Sequence, residues 1–294
     1  MSYPSPEPCP QRVGDALRWA VRLLASRGAE SPRLDAEVLL AHALQVERPQ
    51  LLIRRDDCLP LTLIEHFTDL VRRRAQHEPV AYLTGQRAFY DLDIQVTRDV
   101  LIPRPESEHL VEEALAWAAT QSRPLRLVDV GTGSGVLALA LARHLPGARV
   151  WAVDLSLAAL HVAQANLRRY GLAGRVQLVQ ADLLAPLGAA FDLIVANLPY
   201  IDAGRMPELE PNVRLYEPHL ALDGGAEGVE LLLRLVAQLP ARLARPGLAL
   251  LEIDPHQATP LQERIRRTLP DARMRLIRDY GGHDRVLVIE REGG

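Results

Sequence analysis

The chain has 294 residues, of which 48% are hydrophobic, and its formal net charge is −3. This length allows about two domains, and the near-neutral charge disfavours nucleic-acid binding through a broad basic surface. All 34 basic residues are arginines, so Schiff-base catalysis and a P-loop, which both need a lysine, are excluded. No apolar run approaches the roughly 18 residues of a membrane helix, and no signal-peptide core is recognisable. The sequence therefore predicts a soluble cytoplasmic protein.

The first part of the chain is predicted to be helical. Residues 1–12 are rich in proline and polar residues, which is typical of a disordered tail. Apolar residues then recur at helical spacing over residues 13–77, which predicts a small helical-bundle domain. Within it, Ser31 is expected to cap one helix, and Thr62 with Glu65 is expected to form a capping box at another.

Two further regions follow. Residues 78–105 contain alternating β-type residues, a glycine and closing prolines, which predicts a β-hairpin and linker. Residues 106–294 alternate short apolar strands with helices, which predicts a doubly wound, mostly parallel sheet of α/β class. Strands are expected at 125–130, 148–153, 176–180, 191–196, 248–253, 274–279 and 286–289, and helices at 135–144, 156–170, 228–244 and 257–268. The last two strands are joined by too few residues for a crossover, so they must pair antiparallel.

A glycine-rich turn, DVGTGSG, follows the first of these strands. Glycines let a backbone approach a ligand closely, and the helix after the turn presents amide N–H groups to an anionic group such as a carboxylate. The dinucleotide fingerprint expects Gly or Ala at the position of Val136, so the turn alone does not specify a dinucleotide.

Two aspartates end the next two strands. Asp154, at the end of WAVD, can accept hydrogen bonds from both hydroxyls of a ribose. The alternative is a helix cap, a role that Ser156 can also fill. Asp182, in QADLL, can accept from the exocyclic amine of an adenine with Leu183 beside the ring, although an isolated loop aspartate has the same appearance. In register with the glycine turn, both aspartates indicate an adenosine pocket at the sheet edge.

The fourth strand ends in Asn-Leu-Pro-Tyr, residues 197–200. Proline cannot continue a central strand, and the Asn amide can both donate and accept hydrogen bonds beside an aromatic ring. The group suits a planar target with an NH2, either a base amine or the carboxamide of glutamine. A simple turn after a strand is the alternative for such a motif in isolation.

In this order, the four motifs resemble the class I S-adenosyl-L-methionine-dependent methyltransferases that act on nitrogen. The segments EPVAYLTGQRAFYDLDIQV, VLIPRPESEHLVE, YEPHLALDGGAEGVE and LEIDPHQ are similar to the HemK/PrmC family, the peptide chain release factor glutamine methyltransferases. The resemblance covers about residues 13–290. It implies a Rossmann-like methyltransferase domain with a seven-stranded sheet, and methyl transfer to the glutamine nitrogen in the Gly-Gly-Gln loop of class I release factors.

The resemblance also assigns roles to residues. S-adenosyl-L-methionine is the expected methyl donor, S-adenosyl-L-homocysteine the product, and no metal is required. The residues expected to bind the donor are Asp129, Gly131, Thr132, Gly133, Ser134, Gly135, Asp154, Asp182, Leu183 and Asn197. The residues expected at the reacting amide are Asn197, Leu198, Pro199 and Tyr200. Arg104 and Glu106 are expected either to border the site or to form structural salt bridges.

The chain departs from the family pattern at Leu198, where the first proline of Asn-Pro-Pro-Tyr is usual, and at Ser107, where threonine is usual. Asn-Leu-Pro-Tyr also occurs in enzymes that methylate adenine in RNA, so methylation of a nucleic-acid adenine amine is the alternative function. The flanking segments and the acidic balance favour the release factor, with no direct nucleic-acid binding and a monomeric enzyme.

Overall fold

The computed structural model describes residues 10–279 and 281–293, and they form two compact units. A helical unit contains the described residues up to Gly85 together with Glu210–Tyr216, and a larger unit contains the remainder. Residues 1–9 of the predicted disordered tail lie outside the described residues. Within the described residues, no helix is both long and apolar enough to cross a membrane.

The helices follow the sequence pattern with small shifts at their ends. The α-helices of the described residues are α1 (Val13–Ser26), α2 (Pro32–Leu44), α3 (Gln50–Ile53), α4 (Leu61–Arg74), α5 (Val80–Thr84), α6 (Glu108–Ala118), α7 (Val136–His144), α8 (Leu157–Arg169), α9 (Pro211–Tyr216), α10 (Glu230–Arg242) and α11 (Ala258–Thr268). The strands are β1 (Gln86–Phe89), β2 (Leu92–Gln95), β3 (Arg126–Val130), β4 (Arg149–Asp154), β5 (Val176–Gln180), β6 (Phe191–Ala196), β7 (Leu243–Glu252), β8 (Ala272–Arg278) and β9 (Asp284–Arg291).

The helical unit has its own apolar core, in which Trp19 and Phe67 meet edge to face with ring centroids 6.3 Å apart. One capping prediction is confirmed in its position, and the other is wrong. Ser31 occupies the N-cap position of α2, but its side chain makes no capping hydrogen bond. Helix α4 begins at Leu61 after Pro60, so Thr62 is already inside the helix and no capping box forms.

Two short helices lie where none was predicted. The segment predicted as hairpin and linker begins with α5, which ends at Gly85 in the left-handed conformation (φ +70°). The hairpin itself, β1 paired antiparallel with β2, follows as predicted. The segment after residue 200, in which no secondary structure was recognised, contains a 3-10 turn at Ala203–Glu208 and then α9. Both helices are too short to show a clear period in the sequence.

The larger unit confirms the predicted fold class. Its main sheet has seven strands in the order β5-β4-β3-β6-β7-β9-β8, and within this sheet only β9 runs antiparallel to its neighbours, β7 and β8. Strand β6 is buried at all six positions, which explains why five of its six residues are apolar. The exception, Asp192, accepts hydrogen bonds from Arg123 Nη2 and from the Arg126 amide. The chain passes from β3 outward to β4 and β5, and then returns to the other side of β3 with β6. A parallel sheet binds ligands at such a switch point, beyond the carboxyl ends of its strands.

Candidate active site

A cavity of about 290 Å³ lies at the carboxyl ends of β3, β4 and β6. It is near the lower end of the usual range for small-molecule sites, roughly 300–1,000 Å³. The predicted site residues that line it are Gly131, Thr132, Gly133, Ser134, Asp154, Asp182, Leu183, Asn197, Leu198 and Pro199. The remaining predicted residues, Asp129, Gly135 and Tyr200, do not line the cavity.

Asp129 lies beneath the glycine turn, 1% exposed. Its Oδ2 accepts hydrogen bonds from the Thr132 hydroxyl (2.6 Å) and the Ala138 amide (3.1 Å). Its Oδ1 is buried with no hydrogen-bond partner. Burial raises the pKa of Asp129 to about 7, with the Thr132 hydrogen bond opposing the shift. Asp129 therefore shapes the turn from below.

The turn itself depends on glycine. Gly131 and Gly135 have φ of +75° and +80°, a region that L side chains rarely adopt. A Cβ at Gly131 would lie 2.8 Å from Leu198 Cδ2, and one at Gly135 would lie 3.0 Å from Ala163 Cβ. The turn is thus packed against the Asn-Leu-Pro-Tyr motif on one side and against α8 on the other.

Asp154 closes the turn from the neighbouring strand. Its Oδ2 accepts from the Gly133 amide (2.8 Å) and its Oδ1 from the Ser156 amide (2.9 Å). Ser156 itself caps α8 by accepting from the Ala159 amide (3.2 Å). Burial raises the pKa of Asp154, and its hydrogen bonds to backbone amides oppose the shift. Since an ionised carboxylate offers about four acceptor positions, each oxygen can still accept from a ligand hydroxyl.

Asp182 is the most exposed of the three strand-end aspartates, with 52% of its side-chain surface in solvent. Its Oδ2 accepts from Arg234 Nη2 at 2.6 Å. Leu183 beside it is buried and has φ +54°, which is uncommon for a residue other than glycine. This backbone conformation lies at the cavity wall, where strained residues tend to occur.

The Asn197 side chain is held in place through its NH2 group, which donates a hydrogen bond. Its Nδ2 donates to the Ser107 hydroxyl (2.9 Å), and that hydroxyl donates to Glu252 Oε2 (2.6 Å). Ser107 and Glu252 are 3% and 2% exposed. Burial raises the pKa of Glu252 to about 7, and the Ser107 hydrogen bond opposes the shift. The Oδ1 atom of Asn197 is left as the acceptor of this amide.

The backbone after Asn197 is fixed by the C-terminal half of the unit. The buried side chain of Gln257 donates to the carbonyl oxygens of Tyr200 (3.2 Å) and Gly228 (2.6 Å). A Cβ at Gly224 would lie 2.8 Å from both the Pro199 carbonyl oxygen and Tyr200 Cα, so only glycine fits against the motif there. The segments DGGAEGVE and DPHQ therefore act as the support of the Asn-Leu-Pro-Tyr turn.

The linker before α6 supplies cavity wall that the motifs did not reveal. Val100, Leu101 and Pro103 line the cavity, and so do Ser107 and Arg104. Arg104 also donates to Glu217 Oε1 (2.6 Å), whose other oxygen accepts from the Ile102 amide (3.2 Å). Arg104 thus both borders the cavity and forms a salt bridge, two roles that the sequence offered as alternatives.

Asn166 of α8 connects the hairpin to the glycine turn. Its Oδ1 accepts from the Gln95 amide (2.8 Å), and its Nδ2 donates to the carbonyl oxygens of Gln95 (2.9 Å) and Ser134 (2.9 Å). The residue is completely buried. No motif in the sequence contains Asn166, so this contact was not predicted.

Comparison with known families gives two matches along the chain. Residues 15–85 match the PrmC N-terminal domain, and residues 110–210 match the methyltransferase small domain. The methyl donor of this methyltransferase class is S-adenosyl-L-methionine. The site residues fit that donor, because turn amides, the two free acceptor positions of Asp154 and an apolar wall at Leu183 suit its carboxylate, ribose and base.

Known proteins extend the similarity over almost the full length. The release factor glutamine methyltransferase of Moorella thermoacetica is 45% identical over 94% of this chain and 97% of its own length. That of Rhodopirellula baltica is 40% identical over 96% and 97%. A T. thermophilus 16S rRNA N2 G1207 methyltransferase in complex with AdoMet and guanosine has the same fold, with TM-score 0.50 and 22% identity over 70% of this chain and 50% of its own. The shared fold does not identify a substrate, but at 45% identity over 94% of this chain and 97% of that relative, this protein belongs to the release factor glutamine methyltransferase family.

Proposed function

We propose that the protein transfers a methyl group from S-adenosyl-L-methionine to the side-chain amide nitrogen of the glutamine in the Gly-Gly-Gln loop of class I peptide chain release factors. The observation that carries the proposal is the state of the Asn197 amide at the cavity wall. Its donor is occupied by Ser107, so its oxygen is the atom offered to a target N–H. The relatives that match nearly the whole chain act on release factors by name.

The reacting group is a poor nucleophile, because the nitrogen lone pair of an amide is delocalised into the carbonyl. The site must therefore hold the nitrogen about 3–3.5 Å from the methyl carbon and accept hydrogen bonds from both of its N–H groups. Asn197 Oδ1 and the main-chain carbonyl of Leu198 are the proposed acceptors. If both N–H groups are drawn toward these acceptors, the lone pair turns toward the methyl group. Leucine supplies this carbonyl as well as proline does.

Tyr200 has a passive part in this scheme. Desolvation raises its pKa, and the nearby Glu252 raises it further. The phenol therefore stays neutral at physiological pH and does not act as a base. Its proposed role is to pack against the plane of the target amide, and the proton of the methylated nitrogen leaves to water.

The side of the cavity formed by the glycine turn and the two aspartates, here called the donor side, binds and orients the methyl donor. When bound, S-adenosyl-L-methionine supplies an electrophilic methyl group on a sulfonium. Gly131–Ser134 contribute main-chain groups, and Asp154 accepts from the ribose hydroxyls. Asp182 and Leu183 face the base. The roles proposed for Asp129 and Gly135 are indirect, since both support the turn from outside the cavity.

The proposal includes a partner and a compartment. The substrate is a protein, the enzyme acts in the cytoplasm where translation ends, and it works as a monomer without direct binding to nucleic acid. Residues 13–77 are proposed as a separate helical domain, residues 78–105 as a linker and residues 106–294 as the catalytic domain. Light scattering of the purified protein tests the monomer.

One labelling experiment tests the reaction. The protein is incubated with tritiated S-adenosyl-L-methionine and, in separate reactions, a class I release factor, the same factor with the loop glutamine changed to alanine, and total RNA. Label in the first factor alone supports the proposal. Label in RNA alone would support the alternative, an adenine amine, and label in both factors would place the methyl group on another residue.

A further inference from the structure

The wall behind Asn197 contains two buried polar residues from distant parts of the chain. Ser107 stands at the start of α6, and Glu252 is the last residue of β7. They are separated from each other by 145 residues and meet at 2.6 Å. Neither contributes to the donor side of the cavity. Ser107 links the pair to the site, because its hydroxyl also accepts from the Asn197 amide.

The direction of each hydrogen bond in this network follows from which groups carry a proton. A carboxylate can only accept, so the single Ser107 proton must point to Glu252. The Ser107 oxygen then has only lone pairs to offer, and it selects the NH2 end of Asn197. If the amide were rotated by 180°, Oδ1 would face the Ser107 oxygen with no proton between them. An unpaired acceptor contact of this kind is costly in a buried site.

We propose that Glu252 and Ser107 are positioning residues that fix the orientation of the Asn197 side-chain amide, so that its oxygen faces the substrate nitrogen. The inference rests on the proposed function, in which Asn197 Oδ1 accepts from the target amide. It assigns a reason for the hydroxyl at position 107, which threonine also provides. It also assigns a reason for the acidic residue at the end of β7.

Protonation of Glu252 would remove this preference for one orientation of the Asn197 amide. A neutral carboxyl group can donate to the Ser107 oxygen, which frees the Ser107 proton to point at Asn197 and permits the rotated amide. The charged and titratable groups that act on Glu252 are Glu106, Arg104, Arg285 and the Tyr200 hydroxyl. Burial and Glu106 favour the neutral form of Glu252, whereas the two arginines favour the ionised form. The catalytic constant should therefore fall on the acid side of neutrality.

Three variants test the inference by steady-state kinetics on a release factor, with calorimetry for S-adenosyl-L-methionine. Ser107→Ala is expected to lower kcat about 10- to 100-fold, the size of effect that misplacement of a reacting group produces. Ser107→Thr is expected to keep most of the activity, because it keeps the hydroxyl. Glu252→Gln is expected to lower kcat and to lose the acid limb of the kcat–pH profile. All three should bind the donor with unchanged Kd.

The control is Thr268→Ala, because this exposed hydroxyl bonds only to the Arg264 carbonyl of its own helix. Unchanged kcat in Ser107→Ala would overturn the inference. So would an equal loss in the Thr variant, or a loss of kcat accompanied by a matching rise in the Kd of the donor, since those results indicate a general structural role. If Ser107→Ala does not fold, the Thr variant and the pH profile of Glu252→Gln decide.

The wild-type reaction separates this inference from the proposed function. Absence of label in the release factor refutes the function. If another substrate is labelled instead, the same variants are compared on it. If Ser107→Ala then has the wild-type kcat on that substrate, the positioning role is overturned, whatever the substrate is.

Discussion

The two sides of the cavity are built in different ways. On the donor side, the decisive hydrogen bonds join near neighbours in the chain: Thr132 to Asp129 over three residues, Ser156 to Asp154 over two and Gly133 to Asp154 over 21. On the acceptor side, Asn197 reaches Ser107 over 90 residues, and Ser107 reaches Glu252 over 145. The side that binds the common methyl donor is therefore locally encoded, and the side that meets the substrate depends on the whole domain.

The largest effect is expected where the acceptor side meets the substrate. Asn197→Ala removes the proposed acceptor without touching the glycine turn. We expect kcat to fall by about 10²–10³, the usual effect of removing one group that stabilises a transition state. Calorimetry should give an unchanged Kd for S-adenosyl-L-methionine. A variant that retains most of its turnover would remove Asn197 from the reaction.

Asp154→Ala tests the donor side. Losing two hydrogen bonds to a charged acceptor, at about 1.5–3 kcal/mol each, should raise the Kd of the methyl donor by about 10²- to 10⁴-fold. Asp182→Ala is the matched control, since that carboxylate is half exposed and already paired with Arg234. Its effect should be only a few-fold. Equal affinities for wild type and Asp154→Ala would contradict the ribose role.

Gly131 is the point at which the two sides touch. Gly131→Ala places a Cβ 2.8 Å from Leu198 Cδ2, whereas Gly133→Ala meets nothing within 4 Å, although both glycines have positive φ. Both variants should lose about 1 kcal/mol of unfolding free energy from backbone strain. Gly131→Ala should lose about 1–2 kcal/mol more from overpacking.

Urea unfolding measures the difference between these two glycine variants. In a Leu198→Ala background, which lacks the atom in contact, Gly131→Ala should lose only the first part, so the comparison is made against Leu198→Ala alone. If the two single variants are equally destabilised, the contact between the turn and Leu198 has no energetic weight and the two sides are independent.

The smallest effect concerns pH. The pKa of Asp129 rises from 3.8 to about 7 in the folded protein, so between these values the folded state holds a proton that the unfolded state has lost. Its contribution to stability therefore decreases as pH rises, by about 1 kcal/mol between pH 6 and pH 7. Urea unfolding of Asp129→Asn should lack this part of the decline. If the unfolding free energies of the variant and the wild type change with pH in parallel, Asp129 does not make this contribution.

The contrast between local hydrogen bonds on the donor side and long-range ones on the acceptor side also explains which parts of the site could be predicted from the sequence. The glycine turn and Asp154 were recognisable because the strand, the turn and the helix that form them are consecutive, and the mostly parallel sheet was predicted from the alternation of strands and helices. Ser107 attracted notice only as a replacement for threonine, and Glu252 did not stand out. Their meeting with Asn197, which follows β6, depends on β7 lying next to β6, and no local pattern reports that.

The sequence motifs also do not distinguish residues that line the cavity from residues that support its wall. Asp129 and Gly135 belong to the motifs but lie outside the cavity lining. A motif records which residues a ligand-binding turn requires, including those that only shape its backbone. Whether a residue reaches the cavity depends on how it packs against other elements, as Gly135 does against Ala163 of α8. The spacing of residues in a motif does not contain this information.

Asn166 has a consequence for the motions of the protein. One buried amide satisfies both main-chain groups of Gln95 and the carbonyl of Ser134. Separating either segment from α8 would leave polar atoms of Asn166 buried and unpaired, so the hairpin edge and the glycine turn are expected to open to solvent as one unit. Hydrogen exchange at the Gln95 amide should then slow when a ligand closes over the turn, although Gln95 itself does not line the cavity.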